Sequence, residues 1–288
     1  MTQKKKRDWV RAFCLTPMAA WTALFVGASL IYILFISFMK RDPAGFGVVY
    51  EFTLENYAKL ANPAYLRVLL ESLRLAAEST LLCLAIGYPF GCFMAKAGKK
   101  WRTVLMLLVM VPFWTNALVR IYGWQILLMS DGFLNKGLMA LGWIERPLKL
   151  LNTRGAVLLG MTYGLLPMMI LPVYSSVEKM DWSLTEAGRD LGGGAFHVFR
   201  TVTLPMTASG ALAGVVLVFV PSISLFFISD LLGGGNYMLA GNLIYNQLYK
   251  AQDWPFAAAL SVVLLAVTCL LLLIYRRAGG KASGFQLF

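Results

Sequence analysis

Long apolar stretches alternate with shorter polar ones along this chain. A transmembrane helix needs about 20 consecutive, mostly apolar residues, and six stretches have the length and composition to supply one. The pattern therefore predicts an all-α membrane protein in which six transmembrane helices form one domain, residues 1–288, with no soluble appendage. The predicted spans lie at about 12–39, 70–95, 103–128, 154–176, 209–232 and 255–275.

Prolines and glycines within these spans predict how the helices bend and pack. A proline removes a backbone hydrogen bond that lipid cannot replace, so such helices bend or line cavities; tolerated kinks are the plainer interpretation. The spacings Gly87-x3-Gly91 and Gly210-x3-Gly214 predict two small faces for close helix packing. Six prolines fall in the spans: Pro17, Pro89, Pro112, Pro167, Pro172 and Pro221.

A polar loop at about 177–208 separates the fourth and fifth spans. Ser183 and Glu186 have the spacing of a capping box, which predicts a short helix that starts there. Glycines 192–194 end it, because glycine adopts positive φ at little cost, and a second short helix follows before Pro205. The two helices make a compact knob that can fill a groove on a soluble partner. An interfacial helix that only tethers the chain to the membrane is the alternative.

The same loop resembles the cytoplasmic signature of bacterial ABC-importer permeases, E-A-A-x3-G-x9-I-x-L-P. Gly188 stands where the pattern has Ala, and Val202 where it has Ile. The resemblance implies an ABC-importer permease bundle whose loop acts as a coupling helix against a separate ATPase. The residues expected to couple are Glu186, Ala187, Gly188, Asp190, Gly192, Leu204 and Pro205.

The net charge of +12 is mostly a topology signal. Lys and Arg concentrate at the N-terminus, in the short turn at 96–102, in the 177–208 loop and at the C-terminus. The positive-inside rule therefore predicts cytoplasmic N- and C-termini and a cytoplasmic loop. Lys4 to Arg7 resemble a signal-peptide head, but the apolar run that follows is too long, which predicts a retained first helix. Nucleic-acid binding is not expected, since no basic helix or RNA-binding signature accompanies the charge.

Few residues are suited to covalent or metal chemistry. His197 is the only histidine, which argues against a His-based metal site or a serine–histidine–acid site, so we expect no catalytic residue and no metal. No Gly-x4-Gly-Lys-Ser/Thr loop occurs, so we expect no cofactor in this chain and expect ATP and Mg to bind to the partner ATPase. The cysteines are expected to be small lipid-embedded hydrophobes without disulfides: Cys14, Cys83, Cys92 and Cys269.

Beyond the loop, nearly the whole chain resembles permeases of spermidine/putrescine importers, most closely the PotB type. The resemblance implies a subunit of the bacterial inner membrane, surrounded by lipid and paired with a second, unlike permease subunit. The pair would sit over two copies of an ATPase and receive polyamine from a periplasmic binding protein. Five segments carry it: LENYAKL (54–60), PFWTNALVRIYGW (112–124), LPVYSSVEKMD (171–181), SDLLGGGNYMLAGN (229–242) and DWPFAAA (253–259).

A polyamine path should offer carboxylates for its charges and aromatic faces for its ammonium groups and methylenes. Asp230 ends the fifth span near the outer face, and its plainer role is to meet headgroup water. Trp114 and Asn116 follow Pro112 at membrane depth, where polar groups need a partner or a cavity; interfacial anchoring is the alternative for the tryptophan. Tyr122 is a weaker candidate.

Glu71, Arg74 and Glu78 fall on one face of the second predicted span. Two glutamates could attract a polyamine, but Arg74 is spaced to neutralise them. We therefore favour an internal ion pair over contact with the cargo.

Two other functions stay open from the sequence alone. An ABC permease for another small organic solute, such as an opine or a phosphonate, shares much of this pattern. A secondary transporter or channel without ATP would show internal repeats or several membrane acids, neither of which is clear here. A membrane enzyme is weaker still, because no nucleophile–base pair is present.

Overall fold

The computed structural model describes residues 15–42 and 47–279, with side chains through residue 273. The basic N-terminal head, Cys14 and Lys281 lie outside the described residues. The structure is mostly helical, 79%, which confirms the predicted all-α class. One two-stranded antiparallel sheet occurs among the described residues, β1 (Met39–Arg41) with β2 (Val48–Phe52).

The helices are numbered along the chain. The first half contains α1 (Leu15–Ser37), α2 (Glu55–Leu60), α3 (Pro63–Lys96), α4 (Lys99–Met110), α5 (Ala117–Leu128) and α6 (Phe133–Ala140). The second half contains α7 (Arg154–Glu178), α8 (Ser183–Asp190), α9 (Ala195–Val198), α10 (Leu204–Ser224), α11 (Phe226–Gly233), α12 (Ala240–Tyr245) and α13 (Trp254–Gly279).

The chain divides into two compact units. The first comprises residues 1–66 and 243–267, and the second residues 67–242 and 268–288. In the first unit, the buried Asn56 side chain donates to the backbone carbonyls of Ser37 and Met39, at 3.0 and 2.8 Å. The Asp253 carboxylate accepts from the Phe256 amide at 3.1 Å and so caps the start of α13. Two of the family-like segments, 54–60 and 253–259, therefore supply structural polar contacts here.

In the second unit, α3 and α10 pack closely against α7. A Cβ at Gly87 would lie 2.8 Å from Met169, and one at Gly91 would lie 2.9 Å from Val173. On α10, a Cβ at Gly214 would lie 2.6 Å from the sulfur of Met169. Met169 and Val173 are fully buried. These contacts confirm that both predicted small faces are packing faces.

Four described helices are long and apolar enough to cross a membrane, or five if one bent pair counts as a span. The four are Leu15–Ser37, Arg154–Glu178, Ala195–Ser224 and Trp254–Leu273. Helix α3 is not among them, so the count of six spans stays a prediction, as does the single-domain organisation.

The third predicted span, 103–128, differs from the single helix that its apolar run indicated. After α4, residues Val111–Trp114 form a 3₁₀ turn, Thr115 is extended, and α5 then begins. The pair Lys99–Trp114 and Ala117–Ala140 bends by 95°. Pro112 lies in the turn and donates no amide hydrogen, while the Asn116 side chain starts the next helix. Hydropathy registers neither effect.

The fifth predicted span, 209–232, also differs. Its helix begins earlier, since Ala195–Ser224 is continuous, and it ends at Ser224. Leu225 then leaves the helical region at ψ 72° before α11 begins. Pro205 lies inside this long helix without breaking it, because the π turn Phe199–Thr203 immediately before it widens the backbone.

Candidate functional site

The predicted coupling helix, α8, begins at Ser183, but different hydrogen bonds hold its first turn. The Asp181 carboxylate accepts from the Ser183 amide at 3.0 Å, and the Glu186 amide donates to the Trp182 carbonyl at 3.3 Å. The predicted Ser183–Glu186 capping box is therefore wrong. An aspartate two residues before the first amide forms an Asx turn, which takes that donor first. The hydrogen bonds from Ser183, its side chain foremost, hold the pKa of the Asp181 carboxyl below its usual range.

The end of α8 is a glycine corner, as predicted. Gly192 has φ +82°, the left-handed conformation that favours glycine. Its amide donates to Arg189 at 2.8 Å, and the Gly193 amide donates to Gly188 at 3.1 Å. Together these two bonds form a Schellman motif, which satisfies the last carbonyls of the helix.

The two departures from the family pattern lie against each other. A Cβ at Gly188 would lie 3.7 Å from Val202 and 3.4 Å from the buried Val198. These are ordinary contact distances, so the alanine of the pattern would also fit here. A separate second helix was predicted in the loop, and this prediction is wrong. Instead α9 continues through a π turn into α10, so Leu204 and Pro205 lie within one long helix. This helix is a candidate membrane span, and the glycine corner connects α8 to its start.

The exposed surface of the loop combines charged and apolar side chains. Glu186, Ala187 and Asp190 are exposed. Leu191 and Phe196, on the same loop, are 89% and 76% exposed. The structure thus places Glu186, Ala187, Gly188, Asp190 and Gly192 on one small knob, with Gly192 at its corner.

Two contacts join this loop to the C-terminal end of α3 and the N-terminal end of α4. The Arg102 guanidinium donates to the Glu178 carboxylate at 2.6 Å and to the Ala95 carbonyl at 3.1 Å. The Lys96 ammonium lies 4.8 Å from the ring centre of Trp182, a cation–π contact. The loop is therefore in contact with α3 and α4, in addition to being continuous with α10.

The predicted path residues around the third-span break are largely explained by local structure. The Asn116 side chain accepts from the Leu118 amide at 2.8 Å and caps α5. The Thr115 hydroxyl donates to the Pro112 carbonyl at 2.7 Å. Trp114 is 77% exposed and Tyr122 is 50% exposed. The polar side chains of Thr115 and Asn116 thus have partners within their own turn, whereas Trp114 and Tyr122 remain available for contacts outside this chain.

Asp230 is exposed on α11 and is positioned by its neighbour Asn242. The Asn242 amide donates to the Asp230 carboxylate at 2.5 Å, and its own carbonyl oxygen accepts from the Leu239 amide at 3.0 Å. The Ser229 hydroxyl donates to the Tyr237 carbonyl. The family-like segment 229–242 is therefore a folded turn that presents one carboxylate.

A cavity of about 270 Å³ lies beside the third-span break. None of the four predicted path residues is among its described lining residues, but their neighbours are. Its polar and aromatic lining consists of Phe113, Arg120, Tyr163 and Phe227. Sequence reasoning missed these residues, although an arginine at membrane depth is itself a functional signal.

The glutamates of α3 form an ion-pair network, as favoured, but with a different main partner. Arg154, at the start of α7, donates to Glu71 and to both oxygens of Glu78, the latter at 2.9 Å from its Nη2. Arg74 pairs with Glu78, at 3.2 Å, and its side chain is 68% exposed. The i,i+4 spacing on one helix allowed Arg74 to be predicted as a partner of Glu78. Arg154 could not be predicted in this way, because tertiary packing brings it to the two glutamates.

Comparisons with known proteins show what this chain is similar to. Residues 87–278 match the family described as "Binding-protein-dependent transport system inner membrane component". The chain is 47% identical over 264 residues to the "Spermidine/putrescine transport system permease protein PotB" of Salmonella typhimurium strain LT2, which covers 92% of both chains. It is 46% identical over 264 residues to the protein of the same description from Escherichia coli strain K12, covering 92% of this chain and 96% of that one.

A solved structure shares the fold. A bacterial alginate ABC transporter, in complex with an alginate pentasaccharide-bound periplasmic protein, contains a chain with a TM-score of 0.78 and 15% identity. The match covers 97% of this chain and 96% of that one. At this identity the likeness establishes the fold alone.

Proposed function

The chain belongs to the family of binding-protein-dependent transport system inner membrane components, and we propose that it carries spermidine and putrescine inward across the bacterial inner membrane. Members of this family are permease subunits that work with an ATPase and a substrate-binding protein. The chain is accordingly a transport subunit and not an enzyme. The 47% identity over 92% of both chains to a spermidine/putrescine permease is the observation that carries the cargo assignment.

The assembly follows from the same proposal. Two copies of the ATPase bind ATP and Mg below the membrane, and a second, unlike permease subunit completes the bundle. A loaded periplasmic binding protein docks on the outer loops. Closure of the ATPase pair then displaces α8.

The loop geometry supports this transmission. The Schellman corner at Gly192 sets α8 at a fixed angle to the rod formed by α9 and α10. The Arg102–Glu178 ion pair joins the start of the loop to α4, whose other end carries the 95° bend. Movement of α8 can therefore be passed to the bend at the third span, beside which the cavity lies.

The chemistry of the outer half suits a polyamine in part. Aromatic faces of Phe113, Tyr163 and Phe227 border the cavity, and cations bind to such faces. Asp230 supplies an exposed carboxylate on the helix that also carries Phe227.

One observation favours a second cargo class. Arg120 lines the cavity, and its Nε and Nη1 are buried without a hydrogen-bond acceptor in the described part of the chain. A guanidinium of this kind pairs well with a carboxylate or phosphonate group. An opine or a phosphonate is therefore the alternative cargo.

Flux through the reconstituted complex decides between these cargoes. The chain is purified with its second permease, ATPase and binding protein, placed in proteoliposomes, and supplied with ATP and labelled spermidine, putrescine, octopine or methylphosphonate. We expect ATP-dependent uptake of both polyamines only, with ATPase activity stimulated by the polyamine-loaded binding protein. Uptake of octopine or methylphosphonate without polyamine uptake would overturn the proposal.

Orientation is tested separately. We propose that the 177–208 loop and both termini are cytoplasmic, because basic residues concentrate there. Single cysteines at Ser183 and Asn236, in a cysteine-free background, should react oppositely with an impermeant thiol reagent in spheroplasts. Asn236→Cys should be labelled and Ser183→Cys protected; the reverse result would invert the topology.

A further inference from the structure

The cavity beside the third-span break contains a positive charge, which conflicts with the transport of a polycation if that charge stays in place. Of the described residues that line the cavity, Arg120 alone is charged. Its guanidinium lies 4.7 Å from the ring centre of Phe113 and 5.7 Å from that of Tyr163. These two rings, called the aromatic site below, offer the kind of surface that an ammonium group of the cargo would bind.

We propose that Arg120 is a tethered plug that occupies the aromatic site between transport cycles and must leave it before a cargo ammonium binds there. The proposal rests on the polyamine function proposed above and assigns that function a gate. A guanidinium and an ammonium carry the same charge and bind to the same ring faces. One cation at the site therefore excludes the other, both by occupying the rings and by electrostatic repulsion.

A comparison with Arg154 shows why Arg120 is suited to leave. Arg154 donates to two carboxylates, Glu71 and Glu78, through four hydrogen bonds. The Nε and Nη1 of Arg120 have no acceptor among the described residues. The contacts described for the Arg120 guanidinium are thus those to the two rings, which are weaker than paired, hydrogen-bonded contacts to two carboxylates.

The position of Arg120 in the chain connects it to the coupling loop. It lies in the first turns of α5, four residues after the cap Asn116. The 95° bend immediately before that cap joins α5 to α4, and α4 is tied to the loop through Arg102 and Glu178. A rotation of α5 about this bend would carry Arg120 away from Tyr163, which lies on α7. The gate would therefore open when the coupling loop moves.

Removal of the side chain should make the complex leak. Proteoliposomes that contain the complete complex are loaded with labelled spermidine, and its efflux is measured without ATP. We expect Arg120→Ala to raise this passive efflux about tenfold or more, since the aromatic site is then open to cations. Methylguanidinium at millimolar concentration should suppress the leak of the variant, because it replaces the missing group at the rings.

Matched variants separate a plug from a structural role. Arg74→Ala removes an arginine that is 68% exposed and does not line the cavity, so its efflux should match that of the unsubstituted complex. Arg120→Lys keeps the charge but loses the planar group, and should leak less than Arg120→Ala. Should Arg120→Ala fail to assemble, Phe113→Leu weakens the same contact while keeping the arginine, and a raised efflux is again expected.

The outcomes discriminate clearly. Coupled uptake without leak in Arg120→Ala, or in Phe113→Leu where the former does not assemble, overturns the plug. A leak in Arg120→Ala that methylguanidinium does not reduce also overturns it, since that result indicates a loosened bundle. If the unsubstituted complex moves octopine or methylphosphonate and Arg120→Ala abolishes that transport without leak, both the plug and the polyamine function fail, and Arg120 binds the anionic cargo. Polyamine transport without the leak rejects the plug alone.

Discussion

The coupling loop and the cavity beside the third-span break are built in opposite ways. In the loop, each feature depends on residues a few positions apart: Asp181 with Ser183, Gly188 with Gly193, and the positive φ of Gly192. The cavity takes its lining from three separate segments, at 113–121, 163–168 and 221–228. The proposed surface for the ATPase is thus specified locally, whereas the proposed surface for the cargo exists only after the helices have packed.

The largest expected effect breaks the local half of this comparison. Gly192→Val should abolish most coupled transport, because a branched residue at φ +82° costs about 1–3 kcal/mol and the corner must change its angle. A Cβ at this position would meet nothing within 4 Å, so steric crowding is not the cause. Uptake and ATPase stimulation in the reconstituted complex measure the loss.

Gly194→Val is the matched control for this change. Gly194 has φ −63° and equally open space, so valine is tolerated there and transport should remain near its original rate. Equal uptake by Gly192→Val and Gly194→Val would show that the angle of the corner does not matter. The loop would then be a membrane tether.

The next effect concerns the cargo-facing half. Asp230→Asn keeps an acceptor for the Asn242 amide, which lies at 2.5 Å, and deletes the charge. Loss of a charge contact to a polyamine costs about 1.5–3 kcal/mol, so we expect the KM for spermidine to rise roughly ten- to a hundredfold. Basal ATPase activity should be retained.

A second variant tests whether charge or fold is responsible. Asn242→Ala removes the hydrogen bond but leaves the carboxylate, and should raise KM less than Asp230→Asn does. If Asn242→Ala instead has the larger effect, Asp230 serves the fold of the 229–242 turn and lies off the path.

The same contrast explains which sequence predictions succeeded. The glycine corner and the two small helix faces depend on single residue types, glycine above all, and the sequence displays these directly. Pro112 predicted a bend or a cavity in the third span, but the break into two helices at 95° was not predicted, because hydropathy is blind to the cap at Asn116. Arg154 was missed as the partner of Glu71 and Glu78, because it lies 76 or more positions away. Arg120 lies within a family-like segment, and Phe113 is seven positions before it. Its other ring contact, Tyr163, is distant in the sequence, so the sequence did not show that the two rings meet at this arginine.

One local prediction also failed, and it failed because two local motifs compete for the same donor. Ser183 and Glu186 have capping-box spacing, but Asp181 stands two residues before the first amide of α8. An ionised carboxylate is the stronger acceptor at a helix N-terminus. The local sequence therefore contained the correct acceptor for the Ser183 amide, Asp181, but the prediction chose the weaker of the two candidate acceptors.

The smallest expected effect sharpens this last point. Asp181→Ala removes the cap of α8 and should slow uptake by roughly two- to fivefold, whereas Ser183→Ala keeps the capped amide and should slow it less.

The sign with pH follows from the lowered pKa of Asp181. A carboxyl whose pKa is depressed on folding stabilises the fold above its unfolded pKa of about 3.9, and that contribution is lost as the pH falls through the folded pKa. The cap is therefore fully present between about pH 5 and 8, so the ratio of uptake between Asp181→Ala and the unsubstituted complex should not vary over this range. If uptake falls further in Ser183→Ala than in Asp181→Ala, the Ser183–Glu186 capping box is correct after all.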